Sequence, residues 1–167
     1  MVGVVEWEGE IMNKDAELTA YCGLYCADCL PSNQSLFRVA KKLKEELDKR
    51  QFENHAEIKS VYNEVFKDYE VFKKVLSEII KLRCAAPCAK GGPFTKGGVI
   101  PDCRIRVCVH EKGVKGCWEC SDFESCKLLE PLSVYHGDTP RYNLRLIKEY
   151  GIENWADKRG KHYLWDK

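Results

Sequence analysis

Cysteine is the residue type in this chain that offers the most chemistry. Ten of the 167 residues are cysteines, and they form four short groups. Thiolates a few residues apart on a turn can converge on one metal ion, whereas disulfides usually join distant segments. The spacing therefore predicts metal ligation by Cys22, Cys26, Cys29, Cys84, Cys88, Cys103, Cys108, Cys117, Cys120 and Cys126.

The number of cysteines limits the number of metal centres. Residues 22–29 carry three thiols, and residues 117–120 form a Cys-Trp-Glu-Cys turn with Cys126 close behind. Because a closed zinc site takes four ligands, we expect about two ions held by eight of the ten cysteines. The remaining two are spare thiols or join His110 or His136 in a third site, and the spacing leaves the partition open.

Two kinds of metal centre fit these cysteines. Paired turns suit Zn²⁺, whereas three-cysteine groups with a remote fourth ligand suit a [4Fe-4S] cluster. Zn²⁺ is the expected metal, and an iron-sulfur redox protein is the alternative. The spacing of Cys22, Cys26 and Cys29 equals that of the radical-SAM signature, but Asp28 replaces the aromatic residue usual in that superfamily.

Disulfides are the main alternative to metal, since the number of cysteines is even. The N-terminal run has no basic start, and Glu6 and Glu8 interrupt its apolar residues, so an export signal is not expected. We therefore expect a cytoplasmic protein with reduced thiols. No apolar run approaches the roughly 20 residues that span a bilayer, so no membrane association is expected.

Signals for catalysis outside the cysteines are weak. His136 and Asp138 could form an acid-base pair or support a metal, but a polar turn before Pro140 accounts for both equally well. The glycines near Gly91 and Gly97 lack the lysine and hydroxyl of a phosphate-binding loop. Since all-cysteine sites are usually closed and structural, no catalytic or cofactor-binding residue is assigned and an enzyme is not expected.

The charge balance gives no global field for capturing nucleic acid. Lys and Arg number 27 and Asp and Glu 26, for a net charge of +1. Cations among the cysteines also offset thiolate charge. A zinc module that binds nucleic acid through Arg104, Arg106 and Lys112 is therefore a further alternative, less expected than a structural role.

Two amphipathic helices are predicted between the first and second cysteine groups. Residues 31–35 can cap a helix from Leu36 to about Gln51. Its predicted apolar stripe comprises Leu36, Val39, Ala40, Leu43 and Leu47.

A second helix is predicted from about Glu57 to Lys81, because apolar residues recur there at heptad spacing. The seam comprises Ile58, Tyr62, Val65, Tyr69, Phe72, Leu76 and Ile79. It is expected to close a helical hairpin rather than to bind a protein partner.

The fold class that follows is mainly α, with a helical hairpin over about residues 36–81 joined to a cysteine-rich, metal-stapled irregular region with short helices. Glycine and proline punctuate residues 84–126, so metal is expected to supply the folding energy there. A short helix is predicted over residues 140–150. Residues 1–20 are expected to be a mobile or loosely docked lead-in, residues 21–157 a single metal-binding domain, and residues 158–167 a tail.

The ordered motifs of the cysteine-rich region resemble a known family. Cys84-x3-Cys88-x2-Gly91-Gly92, Pro101-x-Cys103-x-Ile105-Arg106-x-Cys108, Gly116-Cys117-Trp118-Glu119-Cys120, Phe123-Glu124-x-Cys126 and His136-Gly137-Asp138 follow one another, after Tyr21-Cys22-Gly23-Leu24-x-Cys26-x2-Cys29. Over about residues 20 to 155 this pattern is similar to the bacterial and archaeal domain-of-unknown-function family 3795. The resemblance implies a zinc-binding protein of undetermined activity.

The expected function is thus that of a metal-binding structural or binding module, with zinc as the metal. The sequence names no substrate, reaction or partner, and a protein partner is more consistent with the near-neutral charge than a nucleic acid.

Overall fold

The computed structural model describes residues 14–90, residue 100 and residues 102–160. These residues are mainly α-helical, as predicted, and among them β-pairing is limited to one isolated bridge between Thr19 and Tyr25. The α-helices described are α1 (Lys14–Leu18), α2 (Gln34–Lys49), α3 (Phe52–Ser60), α4 (Tyr69–Lys81), α5 (Arg104–Glu111), α6 (Ser133–His136) and α7 (Thr139–Tyr150).

The chain divides into two compact units. The helical unit is Asn33–Arg83, and the cysteine-rich unit joins Met1–Ser32 to Cys84–Lys167. All ten cysteines therefore lie in the cysteine-rich unit. None of the described helices is both long and apolar enough to cross a membrane.

The first predicted helix of the helical unit is present as α2. It begins at Gln34 because the Asn33 side chain accepts a hydrogen bond from the Leu36 amide at 3.1 Å, the usual N-cap contact. Phe37 and Ala40 form its buried side. The predicted stripe omits Phe37, and it includes Leu36 and Val39, which are exposed.

The prediction of one continuous second helix is wrong. Residues 57–81 contain the end of α3, a 3-10 turn at Glu64–Asp68 and then α4. Asn63 interrupts the helix: its backbone is extended, and its side chain accepts from the Val65 amide at 3.2 Å. The local hydrogen bond of an asparagine competes with the helical pattern, which heptad spacing alone does not reveal.

The predicted seam is consequently buried only in part. Tyr69 and Leu76 on α4 are buried, as a core seam requires. Phe72 is 43% exposed, and Ile58, Tyr62 and Val65 are far more exposed. Only the part of the seam on α4 is therefore buried, and α4 packs against α2.

The cysteine-rich unit has an apolar core of its own. Trp155, Leu144 and Ile147 are almost fully buried, and Ile105, Val109 and Phe123 join the same cluster. The last three lie within residues 84–126, the region for which metal was predicted to supply the folding energy. Helix α7, predicted over residues 140–150, occupies Thr139–Tyr150 and supplies the centre of this core.

Both predicted ends of the domain differ from expectation where they are described. Residues 14–20 are not a loosely docked lead-in, because Leu18, Thr19 and Ala20 are buried. The Trp155 indole donates to the Thr19 hydroxyl at 3.0 Å and fixes this segment. Arg159, assigned to the tail, pairs with Asp28 at 2.6 Å. Residues 1–13 and 161–167 lie outside the described residues.

Candidate metal centres

Four thiols line one small cavity in the cysteine-rich unit. Cys108, Cys117, Cys120 and Cys126 surround a space of about 30 Å³. Ile105, Val109 and Phe123 also line it. We call these four cysteines the second group.

Short turns present the second group to the cavity. Cys108 lies on α5, and Cys117 opens a 3-10 turn, Cys117–Glu119, that the Cys120 amide closes by donating to the Cys117 carbonyl at 3.1 Å. The amide of Cys126 closes the next 3-10 turn in the same way, donating to the Phe123 carbonyl at 3.3 Å. The Cys-Trp-Glu-Cys spacing predicted such a turn.

Burial and repulsion by neighbouring thiolates favour the protonated form of Cys117 in the absence of metal. Burial, with a smaller contribution from neighbouring thiols, raises the pKa of Cys117 to about 12. Lys112 supplies the opposite charge, with its ammonium 3.3 Å from the Cys120 sulfur. This hydrogen bond raises the pKa of Lys112, which agrees with the prediction that cations here offset thiolate charge.

Four other thiols form a first group: Cys26, Cys29, Cys84 and Cys88. The Cys88 side chain and amide both donate to Cys26, and the side-chain bond is the main cause that lowers the pKa of Cys26 to about 7. The same bond raises the pKa of Cys88, which keeps its proton. Cys26 and Cys88 are 62 residues apart in sequence, so only the tertiary fold could reveal this pairing.

Ser32 connects the first group and was missed by the sequence reasoning. Its side chain hydrogen-bonds to Cys26, Cys29 and Cys84. Its amide donates to the Cys29 carbonyl at 3.0 Å and continues the cysteine turn. The signal in the sequence was a hydroxyl three residues after Cys29, within a stretch that was assigned only to turn formation and helix capping.

Gly23 shapes the turn that carries the first group. Its φ of +85° lies in the left-handed region, and a Cβ there would meet the Pro140 carbonyl oxygen at 2.8 Å. Asn143 on α7 donates to the Gly23 carbonyl at 2.8 Å. Helix α7 therefore fixes the loop that leads into Cys26.

Two cysteines fall outside both groups. Cys22 is influenced by Cys103 and Cys26, and burial raises its pKa to about 12. Cys103 precedes α5 and does not line the cavity. Cys22 also contributes to the raised pKa of Cys117 and of Cys88, so it lies close to both groups although it is assigned to neither.

The candidate histidines stand apart from the thiol cavity. His110 is exposed, with Nε2 3.5 Å from the Tyr21 hydroxyl. His136 is half-buried, and burial lowers its pKa. Neither lines the cavity of the second group, so a mixed-ligand site there gains no support.

The donor atoms fit zinc, although their present spacing does not. Within the described residues, no three His, Cys, Asp or Glu side chains are placed so as to hold a metal ion. Each group nevertheless supplies four soft sulfur donors on short turns, the ligand set of closed zinc sites. Binding would require these turns to draw the sulfurs inward.

The basic residues proposed to contact nucleic acid differ in their exposure to solvent. Arg104 is exposed, but Arg106 is only 2% exposed and donates to the Ile100 carbonyl at 2.9 Å. A buried guanidinium is poorly placed to reach a phosphate backbone. The nucleic-acid alternative therefore loses one of its three proposed contacts.

The sequence model of one family matches most of the chain. The match covers residues 18–131 and includes all ten cysteines. No curated protein and no solved structure is significantly similar to the chain. Since the match spans more than half of the 167 residues, the chain belongs to the family described as protein of unknown function (DUF3795).

Proposed function

We propose that this protein binds two zinc ions and acts as a structural or binding module. One centre uses the first group, Cys26, Cys29, Cys84 and Cys88, and the other uses the second group, Cys108, Cys117, Cys120 and Cys126. The observation that carries the proposal is the common cavity that all four thiols of the second group line. The hydrogen bonds of Ser32 and Cys88 support the first centre.

The size of the cavity favours zinc over an iron-sulfur cluster at the second centre. The cavity between these four thiols has a volume of only about 30 Å³. A single ion suits such a space better than a cluster of four irons and four sulfides. Zinc is therefore the proposed metal, and iron with sulfide is the outcome that would support the redox alternative.

The chain's own residues would have distinct roles around the ions. Four sulfurs complete a tetrahedral site and leave no open position for substrate, so the expected contribution of the zinc is folding energy. Lys112 would offset the negative charge of the second centre through Cys120. Ser32 would orient sulfurs of the first centre, as outer hydrogen bonds do at metal sites.

A reducing compartment suits this function. All ten cysteines are free thiols in the structure, which is the state required of zinc ligands. We propose a cytoplasmic location, because thiols are kept reduced in the cytoplasm.

Elemental analysis after anaerobic purification tests the proposal. We expect about two zinc ions per chain and no stoichiometric iron. Cys29→Ser and Cys120→Ser should each reduce the zinc content to about one ion, because each removes a ligand from a different centre. Cys103→Ser is the matched control and should retain both ions.

Three results would contradict this function. Stoichiometric iron with acid-labile sulfide and a brown colour would show that the protein holds an iron-sulfur cluster instead of zinc. Metal-free protein with full thermal stability would show that the cysteines are ordinary buried residues. Loss of both ions in Cys103→Ser would overturn the partition.

A further inference from the structure

The helical unit contains a cavity large enough for a small organic molecule. It lies between the end of α2, the start of α3 and the first turns of α4, and its volume is about 220 Å³. A cavity of roughly 150 Å³ already accommodates benzene. Solvent has direct access, because Gln51 and Glu53 line the cavity and are exposed. We call this space the interhelical cavity.

Tyr69 presents an unsatisfied hydroxyl to the interhelical cavity. The residue is only 9% exposed, and its ring centroid lies 5.3 Å from that of Phe52. Burial raises the pKa of Tyr69, so the hydroxyl keeps its proton. The charges that act on this hydroxyl include those of Asp48, Glu53 and Lys73, which all line the cavity, so the hydroxyl faces it. Among the described residues it has no hydrogen-bond partner, although a buried tyrosine hydroxyl usually has one.

Two amide side chains at the cavity are also available to a ligand. Gln51 and Asn54 line it, and their side chains have no partner in the described part of the chain. Gln51 has a φ of +51°, in the left-handed region that glycine adopts without strain. Backbone strain of this kind is concentrated at binding and catalytic sites.

The charges that line the interhelical cavity favour a positive ligand. Asp48, Glu53 and Lys73 give a net charge of −1. The Lys73 ammonium is already paired, at 2.6 Å to Glu53 and 3.0 Å to Glu70. Asp48 pairs with Lys44 through Oδ2, and its Oδ1 has no partner within the described residues. The charged atom left for a ligand is therefore a carboxylate oxygen.

We infer that the interhelical cavity binds a small organic cation, with an ammonium group attached to an apolar or aromatic body. The ammonium would donate to Asp48 Oδ1 and to the oxygen of the Tyr69 hydroxyl. The apolar body would pack on the Phe52 ring, which also attracts positive charge through its π face. The inference does not depend on metal binding.

An organic anion suits the cavity less well. The start of α3 borders the cavity, and the positive end of a helix dipole favours negative charge. Glu53 in the first turn of α3 already supplies that charge. Lys73 is held by two carboxylates, so an anion would have to displace one of them.

A titration of the full-length, ¹⁵N-labelled protein tests the inference. The probe is benzylamine, a cation at neutral pH, and benzyl alcohol and benzoate are its neutral and negative counterparts. We expect saturable changes in the amide resonances of residues 48–54 with benzylamine, with a dissociation constant of about 1 mM for so small a molecule. Benzyl alcohol should bind at least about tenfold more weakly, and benzoate should not bind.

Two substitutions locate the binding, each with a matched control. Asp48→Asn should weaken benzylamine binding by about tenfold, and Tyr69→Phe should weaken it by roughly threefold or more. Glu45→Gln is the control for the first, because Glu45 also forms an i,i+4 pair on α2, with Lys41. Tyr62→Phe is the control for the second, because Tyr62 is 85% exposed. Both controls should bind as wild type does.

Far-UV circular dichroism verifies that each variant is folded. Tyr69→Phe keeps the buried ring, and Asp48 is only half-buried, so both variants should fold. If Tyr69→Phe nevertheless unfolds, the comparison of Asp48→Asn with Glu45→Gln decides the outcome.

Several outcomes would overturn the inference. Benzylamine could cause no saturable change at concentrations far above the expected dissociation constant. Benzyl alcohol could bind equally well, which would show an apolar cavity without preference for a cation. Tighter binding of benzoate would make it an anion site. Equal losses in the variants and their controls would place the binding elsewhere on the protein.

Discussion

Lys112 is the residue whose position best matches a metal centre that carries net negative charge. A site of four thiolates and Zn²⁺ has a charge of −2, and the Lys112 ammonium is 3.3 Å from one of its sulfurs. The side chain itself is exposed, so the contact is formed at the edge of the centre. Replacement of Lys112 should therefore affect metal affinity more than folding.

We expect Lys112→Met to weaken zinc binding at the second centre by about tenfold, as loss of an outer partner does at other metal sites. Lys112→Arg should retain most of the affinity because it keeps the charge. Competition with a chromophoric chelator measures both. Lys115→Met is the control, and an equal effect there would assign the loss to overall charge.

The pKa values of the thiols predict the pH dependence of zinc binding. Burial raises the pKa of Cys117 to about 12, so without metal this thiol keeps its proton at neutral pH. Zinc must displace that proton, and its affinity should rise with pH between about pH 6 and pH 8. Zinc titrations in weak buffer with an indicator dye should show proton release. A pH-independent affinity would contradict ligation by Cys117.

At the scale of the element, the sequence predicted α2 and α7 because both have local signals. Asn33 caps the first, and Gly151 ends the second. The second helix of the hairpin was mispredicted, because the side-chain bond of Asn63 to the Val65 amide overrides a strong apolar period. The grouping of Cys26 and Cys29 with Cys84 and Cys88 depends on contacts between segments distant in sequence, for which spacing carries no information.

The interrupted seam predicts opposite outcomes for two neighbouring aromatic residues. Tyr69→Asp should unfold the helical unit, since it places a charge at a position only 9% exposed and costs at least about 3 kcal/mol. Phe72→Asp should leave the unit folded. Urea denaturation followed by circular dichroism separates the two. If both variants unfold, the seam is buried at Phe72 as well as at Tyr69, and the prediction is wrong.

Gly23 couples the first cysteine turn to α7. Gly23→Ala should destabilise the cysteine-rich unit by about 1–3 kcal/mol, because the substitution strains φ and crowds the Pro140 carbonyl. Gly113 is the matched control: its φ of +64° is also positive, but no atom lies within 4 Å of the position that a Cβ would take there. Gly113→Ala should cost less in chemical denaturation. Equal losses would show that crowding at Gly23 contributes nothing.

At the scale of the whole molecule, the helical unit is an insertion in the cysteine-rich unit. The chain leaves at Ser32 and returns at Cys84, and the Cys84 amide donates to the Pro31 carbonyl at 2.9 Å. The two ends of the insertion are therefore adjacent. The sequence predicted a helical piece joined to a cysteine-rich piece, but not the hydrogen bond that links the two segments of the cysteine-rich unit at Pro31 and Cys84.

Replacement of residues 33–83 by a short glycine-serine linker should preserve the cysteine-rich unit. We expect the shortened protein to bind about two zinc ions, because all eight proposed ligands remain and the linker needs to span only adjacent ends. Elemental analysis and limited proteolysis provide the measurement. Loss of zinc from the first centre alone would show that this centre depends on the helical unit.

The hydrogen bond between Pro31 and Cys84 also indicates where the chain can accept insertions and deletions. The proposed first centre would close a loop that contains the whole helical unit, and in the unfolded chain the entropy of closing such a loop grows only logarithmically with its length. Doubling the insertion would cost roughly 0.6 kcal/mol, far less than the loss of one ligand. Insertions and deletions should therefore be tolerated between Ser32 and Cys84, whereas the spacing from Cys84 to Cys88 should tolerate none.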